Sequence, residues 1–253
     1  MSTVNIGATR EINLSGNDFL SLKDFSKEEI VYLLKEAAAM KQNKIQDIFK
    51  GKTLAMIFEK SSTRTRVSFE AGMAQLGGNA LFLSSKDMQL GRGETIADTA
   101  KVLSGYVDAI MIRTFEHEKV EELAKHAEIP VINGLTDLFH PCQALSDLLT
   151  IQEMKGTLKG LKAVYVGDGN NVAHSLLIGC AKVGCDITVA SPEGYEPNQE
   201  VVKLAEGFAE ESGAAVTITN DPVSAVQQAD VIYSDVFTSM GQEKEAEERM
   251  NIF

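Results

Sequence analysis

The sequence predicts an α/β protein of two tandem domains, each a parallel sheet flanked by helices. Three observations predict it. Short apolar runs alternate with amphipathic stretches along most of the chain. The alternation pauses at Gly156-Thr157-Leu158-Lys159-Gly160 and then restarts. A length of 253 residues suits two domains at roughly 150 residues each. Strands alternating with helices build βαβ units, whose right-handed crossovers give parallel sheets.

Residues 1–16 show no period and read as a loose arm. A helix starts at Ser26, with Glu29 completing a capping box and Ile30, Leu33, Leu34, Ala37 and Ala38 following at helical spacing. Apolar runs at Thr53–Phe58, Ala80–Leu83, Ala109–Ile112 and Pro130–Ile132 predict four strands. Helices near 64–76, 94–104, 116–127 and 141–154 separate and follow them. Beyond the glycine-flanked segment, strands are expected near 162–166, 186–190, 215–219 and 231–234, with helices near 172–183, 199–212 and 222–228. Gln242–Phe253 begins another helical pattern. The boundary falls between residues 153 and 154.

Hydrophobic residues make up 44% of the chain, enough for real cores, and the formal net charge is −12. That balance disfavours nucleic acid or an anionic membrane, which both reward clustered Lys and Arg. An anionic small molecule needs only a few placed arginines. The three cysteines, Cys142, Cys180 and Cys185, have no CxxC spacing, which argues against a disulfide framework or a zinc site. Residues 1–18 lack a signal-peptide core, and no apolar run approaches the roughly 20 residues of a membrane span. A soluble, cytoplasmic protein is expected.

The strongest local signal is Phe58-Glu59-Lys60-Ser61-Ser62-Thr63-Arg64-Thr65-Arg66-Val67-Ser68-Phe69-Glu70. It follows an apolar strand and opens a helix, with Val67, Phe69, Ala71 and Met73 expected on its apolar face. Hydroxyls and arginines thus gather at a helix N-terminus, where free N–H groups already favour an anion. An ordinary Ser/Thr cap with solvated arginines is the bland alternative; the density of SSTRTR favours an anion site. No Walker sequence is present, so a nucleoside triphosphate is not implied. Arg113 ends the third strand, where open sheets bind ligands. His140-Pro141-Cys142-Gln143 opens a helix; His140 can donate to a carbonyl oxygen, and Gln143 offers both an amide donor and an acceptor. Alone, Arg113 reads as a salt-bridge partner and His140 as a packed histidine; their weight comes from lying at equivalent strand–helix junctions. Cys142, with no base nearby in sequence, reads as packing rather than as a nucleophile.

The second half opens with Val164-Tyr165-Val166-Gly167-Asp168-Gly169-Asn170-Asn171-Val172-Ala173. Gly167-x-Gly169 invites a dinucleotide reading. Val172 and Ala173 stand where a third glycine is wanted, and the next strand ends Val189-Ala190-Ser191 without a ribose-binding acid. Asn170 and Asn171 suit an amino-acid carboxylate or amine instead. Asp235, after the strand Val231–Ser234, can hold an ammonium group or simply cap a turn.

Together these motifs resemble the carbamoyltransferase family over essentially the whole chain. SSTRTR, Arg113 and HPCQ are similar to its carbamoyl-phosphate site. GDGNN and Asp235-Val236-Phe237-Thr238-Ser239-Met240-Gly241-Gln242-Glu243 resemble the ornithine branch. The resemblance implies a carbamoyl-phosphate-binding domain over 1–153 and an ornithine-binding domain over 154–253, the latter incomplete at its C-terminus. It implies carbamoyl-phosphate contacts from Ser62, Thr63, Arg64, Thr65, Gln89, Arg113, His140, Pro141, Cys142 and Gln143. Gln89, in this reading, approaches the site of a neighbouring subunit of a homotrimer or a higher multiple. Asn171, Asp235, Ser239 and Met240 match ornithine contacts; from the residues alone Met240 reads as core. The family's His-Cys-Leu-Pro segment, distal arginine and final helix are not in this sequence, and Phe237 stands where many relatives have tryptophan.

The chemistry implied is transfer of the carbamoyl group of carbamoyl phosphate to the side-chain amine of L-ornithine, giving L-citrulline and phosphate. Arg64, Thr65, Arg113 and His140 are the catalytic candidates, and no metal or organic cofactor is expected. Aspartate, putrescine or acetylated ornithine are alternative acceptors, and the Ser239-Met240-Gly241 loop favours ornithine. A nicotinamide-dependent dehydrogenase and a non-catalytic binding protein are the rivals from other classes.

Overall fold

The computed structural model describes residues 12–90, 93–238 and 246–253. Four strands, β1 (Thr53–Phe58), β2 (Asn79–Ser84), β3 (Ala109–Arg113) and β4 (Val131–Leu135), form an all-parallel sheet in the order β2-β1-β3-β4. A second parallel sheet, in the order β7-β6-β5-β8, contains β5 (Lys162–Val166), β6 (Asp186–Ala190), β7 (Val216–Thr219) and β8 (Val231–Tyr233). Two α/β halves are therefore present, as the alternation predicts.

Each sheet reverses direction once. In the first, the chain runs outward from β1 to β2 and returns to β3 on the other side of β1. In the second, it runs from β5 through β6 to β7 and returns to β8 beside β5. Ligands bind at the carboxyl ends of strands at such reversals. Both reversals face the same cavity, whose wall includes Arg113 beyond β1 and β3 and Asp168 and Asp235 beyond β5 and β8.

The helices of the first half are α1 (Lys27–Gln42), α2 (Thr63–Gln75), α3 (Ile96–Ser104), α4 (His117–His126) and α5 (Pro141–Lys155). Those of the second are α6 (Asn171–Val183), α7 (Gln199–Ser212), α8 (Pro222–Ala225) and α9 (Ala246–Ile252). The expected capping box starts α1: Ser26 accepts from Glu29 N–H, and the Glu29 carboxylate accepts from Ser26 N–H. Buried residues of α1 (Ile30, Leu34) and α5 (Ala144, Leu148) join Leu22 and Phe25 in one core with α6 and the second sheet. Lys182 of α6, only 9% exposed, donates to the carbonyls of Lys23 and Phe25. The segment before α1 is thus clamped onto the second half.

Three elements differ from expectation. The apolar face of α2 is not buried as a set: Val67 is 55% exposed and Ala71 is also exposed, while Phe69 and Met73 pack against Leu54, Met56, Phe58 and Met111. Residues 69 and 73 are one turn apart and share a face, whereas 67 and 71 lie on the other. Strand β4 continues to Leu135 through polar Asn133 and Gly134. Asn133 is buried because its amide donates to Leu20 O, and Gly134 leaves room for Met111, whose Sδ would lie 2.5 Å from an added Cβ. Helix α8 stops at Ala225, short of residue 228; Gln228 has a positive φ of 61°, which ends helical geometry. The arm expected over 1–16 lies outside the described residues up to Glu11, and Gln242–Glu245 lies outside them as well.

Candidate functional site

A cavity of about 1080 Å³ lies between the two halves, large enough for two small molecules side by side. Its first-half wall starts at the N-terminus of α2. Ser62 caps the helix by accepting from Thr65 N–H at 3.2 Å, and its hydroxyl donates to Thr65 Oγ1 at 3.1 Å. No acidic residue sits in the first turn of α2, so nothing there opposes an incoming anion.

Arg113, the last residue of β3, projects toward the same point. It is only 4% exposed, and its Nη1 donates to Thr65 Oγ1 at 3.4 Å. Its buried Nε makes no hydrogen bond within the protein. Burial, reinforced by the Arg64 guanidinium, lowers its pKa to about 10. Two cationic groups facing one another in a partly desolvated corner are relieved by a bound anion.

His140 caps α5 from the opposite side. Its backbone N–H donates to Ser175 Oγ at 2.8 Å, and its buried ring Nδ1 makes no hydrogen bond. Burial first, and the Arg113 charge second, push its pKa down to about 4. The ring is neutral near pH 7 and has a hydrogen-bonding nitrogen to offer. Gln143, one turn on, lines the cavity with Cys142 and Ser146. Burial drives the Cys142 thiol up to about 12, and Sγ points at Asn133 O, 3.5 Å away. It is a packing thiol rather than a nucleophile.

The second-half wall is organised differently. Asn170 is the N-cap of α6, its Oδ1 accepting from Val172 and Ala173 N–H and from the Tyr165 hydroxyl. Its buried Nδ2 has no hydrogen-bond partner. Asn171 donates its own Nδ2 to Thr136 O of the first half, leaving Oδ1 for a ligand. The two asparagines therefore present opposite polarities to the cavity. Asp168, 8% exposed, pairs with Arg249 of α9 at 2.9 Å, and Arg249 Nη1 also donates to Phe237 O at 2.9 Å. Asp235 lies just past β8 on the same wall.

Gly169 has a local structural cause. A Cβ there would lie 2.2 Å from Pro197 N, so the loop after β6 closes over the turn. The second glycine of Gly167-x-Gly169 needs no dinucleotide to explain it.

Hydrogen bonds among the described residues join the two walls. Besides Asn171 to Thr136 O and His140 N–H to Ser175, His174 Nδ1 lies 2.9 Å from Leu138 O. His174 Nε2 accepts from Asn198 N–H at 2.9 Å; with Nε2 an acceptor, Nδ1 carries the proton. Asn171, His174 and Ser175, at positions i, i+3 and i+4, form one polar face of α6 that grips the loop carrying His140.

Of the residues singled out from sequence, Ser62, Arg64, Thr65, Arg113, His140, Cys142, Gln143, Asn171 and Asp235 line this cavity. Thr63 is exposed and Pro141 is buried at the first turn of α5, both off the lining. Gln89 is exposed and also off it. Ser239 and Met240 lie outside the described residues. Sequence reasoning missed Lys60, whose ammonium contacts Asp137 and lies 4.5 Å above the Phe115 ring; its adjacency to the hydroxyl cluster was the available signal. It also missed Asp168 and Arg249 as a pair. Among the described residues no helix is long and apolar enough to cross a membrane.

The geometry offers an anion cradle on one wall, neutral hydrogen-bonding groups at its edge, and a carboxylate with amide groups on the other. Comparison with known proteins points to one family. Residues 17–153 match the family model described as "Aspartate/ornithine carbamoyltransferase, carbamoyl-P binding domain", and residues 159–253 match "Aspartate/ornithine carbamoyltransferase, Asp/Orn binding domain". The ornithine carbamoyltransferase of Bacillus subtilis (strain 168) is 73% identical over 243 residues, covering 96% of this chain and 76% of the relative. The structure of ornithine carbamoyltransferase from Pyrococcus furiosus is similar with a TM-score of 0.91 at 60% identity, covering 96% of this chain and 79% of that one. The structure of anabolic ornithine carbamoyltransferase from Campylobacter jejuni gives 0.88 at 43% identity, covering 94% and 78%.

Proposed function

The chain belongs to the aspartate/ornithine carbamoyltransferase family, and from that premise we propose that it transfers the carbamoyl group of carbamoyl phosphate to the δ-amine of L-ornithine. The products are L-citrulline and phosphate. The observation that carries the reading is the cavity's division: Arg64, Arg113 and the α2 N-terminus on one wall, and Asp235 with Asn170 and Asn171 on the other.

The phosphate sits at the N-terminus of α2, held by Ser62, Arg64 and Thr65, with Thr63 contributing through the backbone N–H groups of the first turn. The carbamoyl oxygen points to Arg113, Thr65 and His140. A neutral His140 can donate there without adding a charge to be desolvated, and Arg113 supplies the charge. On the second wall Asp235 takes the α-ammonium group of ornithine and Asn170 Nδ2 its carboxylate, while Asn171 Oδ1 accepts from an N–H. Ser239 and Met240 match further ornithine contacts in the family resemblance. The neutral δ-amine attacks the carbonyl carbon, forming the C–N bond. The oxyanion is stabilised by the donors already aimed at it. The C–O bond to phosphate then breaks, and the amine's proton leaves to solvent or to the departing phosphate. Holding both reactants on opposed walls makes the attack effectively intramolecular.

Gln89, exposed on its own chain, fits a contact with a neighbouring subunit's site in a homotrimer or a higher multiple. Pro141 and Cys142 act by shaping the first turn of α5. A cytoplasmic location and a role in arginine biosynthesis complete the proposal; the Pyrococcus furiosus relative carries the word "anabolic" in its name.

The test is citrulline formation by the purified chain with carbamoyl phosphate and ornithine. Turnover lost in Arg64→Ala supports the reading. Turnover with aspartate, putrescine or acetylated ornithine in preference to ornithine overturns the acceptor, and binding of carbamoyl phosphate without any product favours a non-catalytic protein.

A further inference from the structure

Gln143 is an amide at the edge of the anion cradle, and an amide can present either of two opposite groups to a ligand. Its orientation is set from behind. Gln143 Nε2 donates to Asp147 Oδ1 at 2.9 Å, one turn along α5. A carboxylate accepts and cannot donate, so an ionised Asp147 holds the amide nitrogen and leaves Oε1 as the group Gln143 offers to the cavity it lines. Asp147 Oδ2 is buried, and the Tyr233 hydroxyl of the second half hydrogen-bonds the same carboxyl. Burial raises the Asp147 pKa to about 6, which still leaves it ionised at pH 7. A partly desolvated carboxylate carries a penalty unless its partners hold it. Here it sits outside the cavity lining, behind a residue that lines it.

We propose that Asp147 is a positioning residue that locks the Gln143 amide with Oε1 toward the cavity, so that the site accepts a hydrogen bond from an acyl phosphate bearing an N–H. The acyl group favoured is then the carbamoyl NH2 rather than the isosteric methyl of an acetyl group. The inference rests on the carbamoyl-phosphate reading of the cavity and deepens it, naming what separates carbamoyl phosphate from other acyl phosphates. A hydrogen-bonding site rejects the analogue lacking its partner because the buried acceptor is then left unpaired.

Asp147→Asn tests it, because an asparagine at 147 can donate to Gln143 Oε1 and let the amide turn over. Dissociation constants for carbamoyl phosphate, acetyl phosphate and inorganic phosphate would be measured by calorimetry on wild type and variant at pH 7.5. Wild type is expected to prefer carbamoyl over acetyl phosphate, and Asp147→Asn to reduce that preference about 10-fold while leaving the affinity for inorganic phosphate unchanged. The phosphate value reports that the cradle is still folded, which a merely structural defect would not leave intact. In a Gln143→Leu background, Asp147→Asn is expected to change the preference no further. An unchanged preference in Asp147→Asn with intact phosphate binding would overturn the inference alone. So would a further loss of preference in the Gln143→Leu background. A wild type that binds phosphate but shows no preference for carbamoyl phosphate would overturn the carbamoyl-phosphate reading as well.

Discussion

The two walls of the cavity are built by different means. The anion wall is assembled from short sequence segments, each at the end of a buried strand, and its key donors stand ready: Arg113 Nε and His140 Nδ1 are buried without partners. The amine wall is assembled from long-range contacts. Asp168 is bound to Arg249, 81 residues away, and Asn171 holds the first half. The contrast teaches that one wall is preorganised by local structure, whereas the other depends on the tertiary arrangement around α9 and α6. Preorganised donors stabilise developing charge without reorganisation; a wall held by its own ion pair is more sensitive to loss of a distant residue.

That contrast can be broken or sharpened experimentally. The largest effect is expected from Arg113→Ala, which removes the buried guanidinium that the proposal aims at the carbonyl. Citrulline formation, read as kcat/KM, should fall by roughly 10³-fold, the scale of losing an oxyanion donor. A loss under about 10-fold would place the oxyanion elsewhere.

Next is Arg249→Ala. It removes one partner of the buried Asp168 carboxylate, and breaking a buried pair this way costs about 3–5 kcal/mol. Chemical denaturation should show that loss, and Asp168→Asn in the same background should recover part of it. A change below 1 kcal/mol would mean that the pair does not hold the second wall.

Asp235→Asn should raise the KM for ornithine by about 10- to 100-fold, the worth of a charge-assisted hydrogen bond. The dissociation constant for carbamoyl phosphate should move less than twofold. Equal effects on both substrates would erase the distinction between the walls.

A smaller effect concerns pH. His140 has a native pKa of about 4 against 6.5 unfolded, so the unfolded chain takes up a proton that the native site refuses. Its contribution leaves stability unaffected above pH 6.5 and lowers it as pH falls toward 4, by at most ~3 kcal/mol. Asp147, with its raised pKa, has the opposite sign over pH 4 to 6, so His140→Gln must be compared with wild type. The variant should show a shallower fall in denaturation free energy below pH 6.5; parallel curves would refute the assignment. Cys142→Ala should be smallest of all, with kcat within about twofold, since a thiol pushed to about 12 supplies no nucleophile.

The same contrast explains how much could be read in advance. The strand–helix alternation, the capping box at Ser26 and the anion wall were legible because each is encoded within one short segment. SSTRTR follows a strand and opens a helix, and Arg113 and His140 sit at matching junctions. The polar end of β4 was not legible, since Asn133 is buried by a bond to Leu20, far off in sequence. Nor was the exposure of Val67: hydrophobicity along α2 alternates, but only Phe69 and Met73 point at the sheet. Asp168, Arg249 and Asp147 carried no signal, because a charged side chain, whether in a loop like Asp168 or in a helix like the other two, reads as solvated until its partner is known. Asn170 and Asn171 were visible as a pair, but their opposite polarities follow only from which atom each has already committed.

In this mechanism the anion wall is ready to bind before the amine arrives. Calorimetric titration of carbamoyl phosphate into the chain without ornithine tests it most directly, in wild type and Asp235→Asn. Saturable binding of equal affinity in both, abolished by Arg64→Ala, is the predicted result. Binding that appears only once ornithine is present, or that weakens with Asp235→Asn, would contradict it.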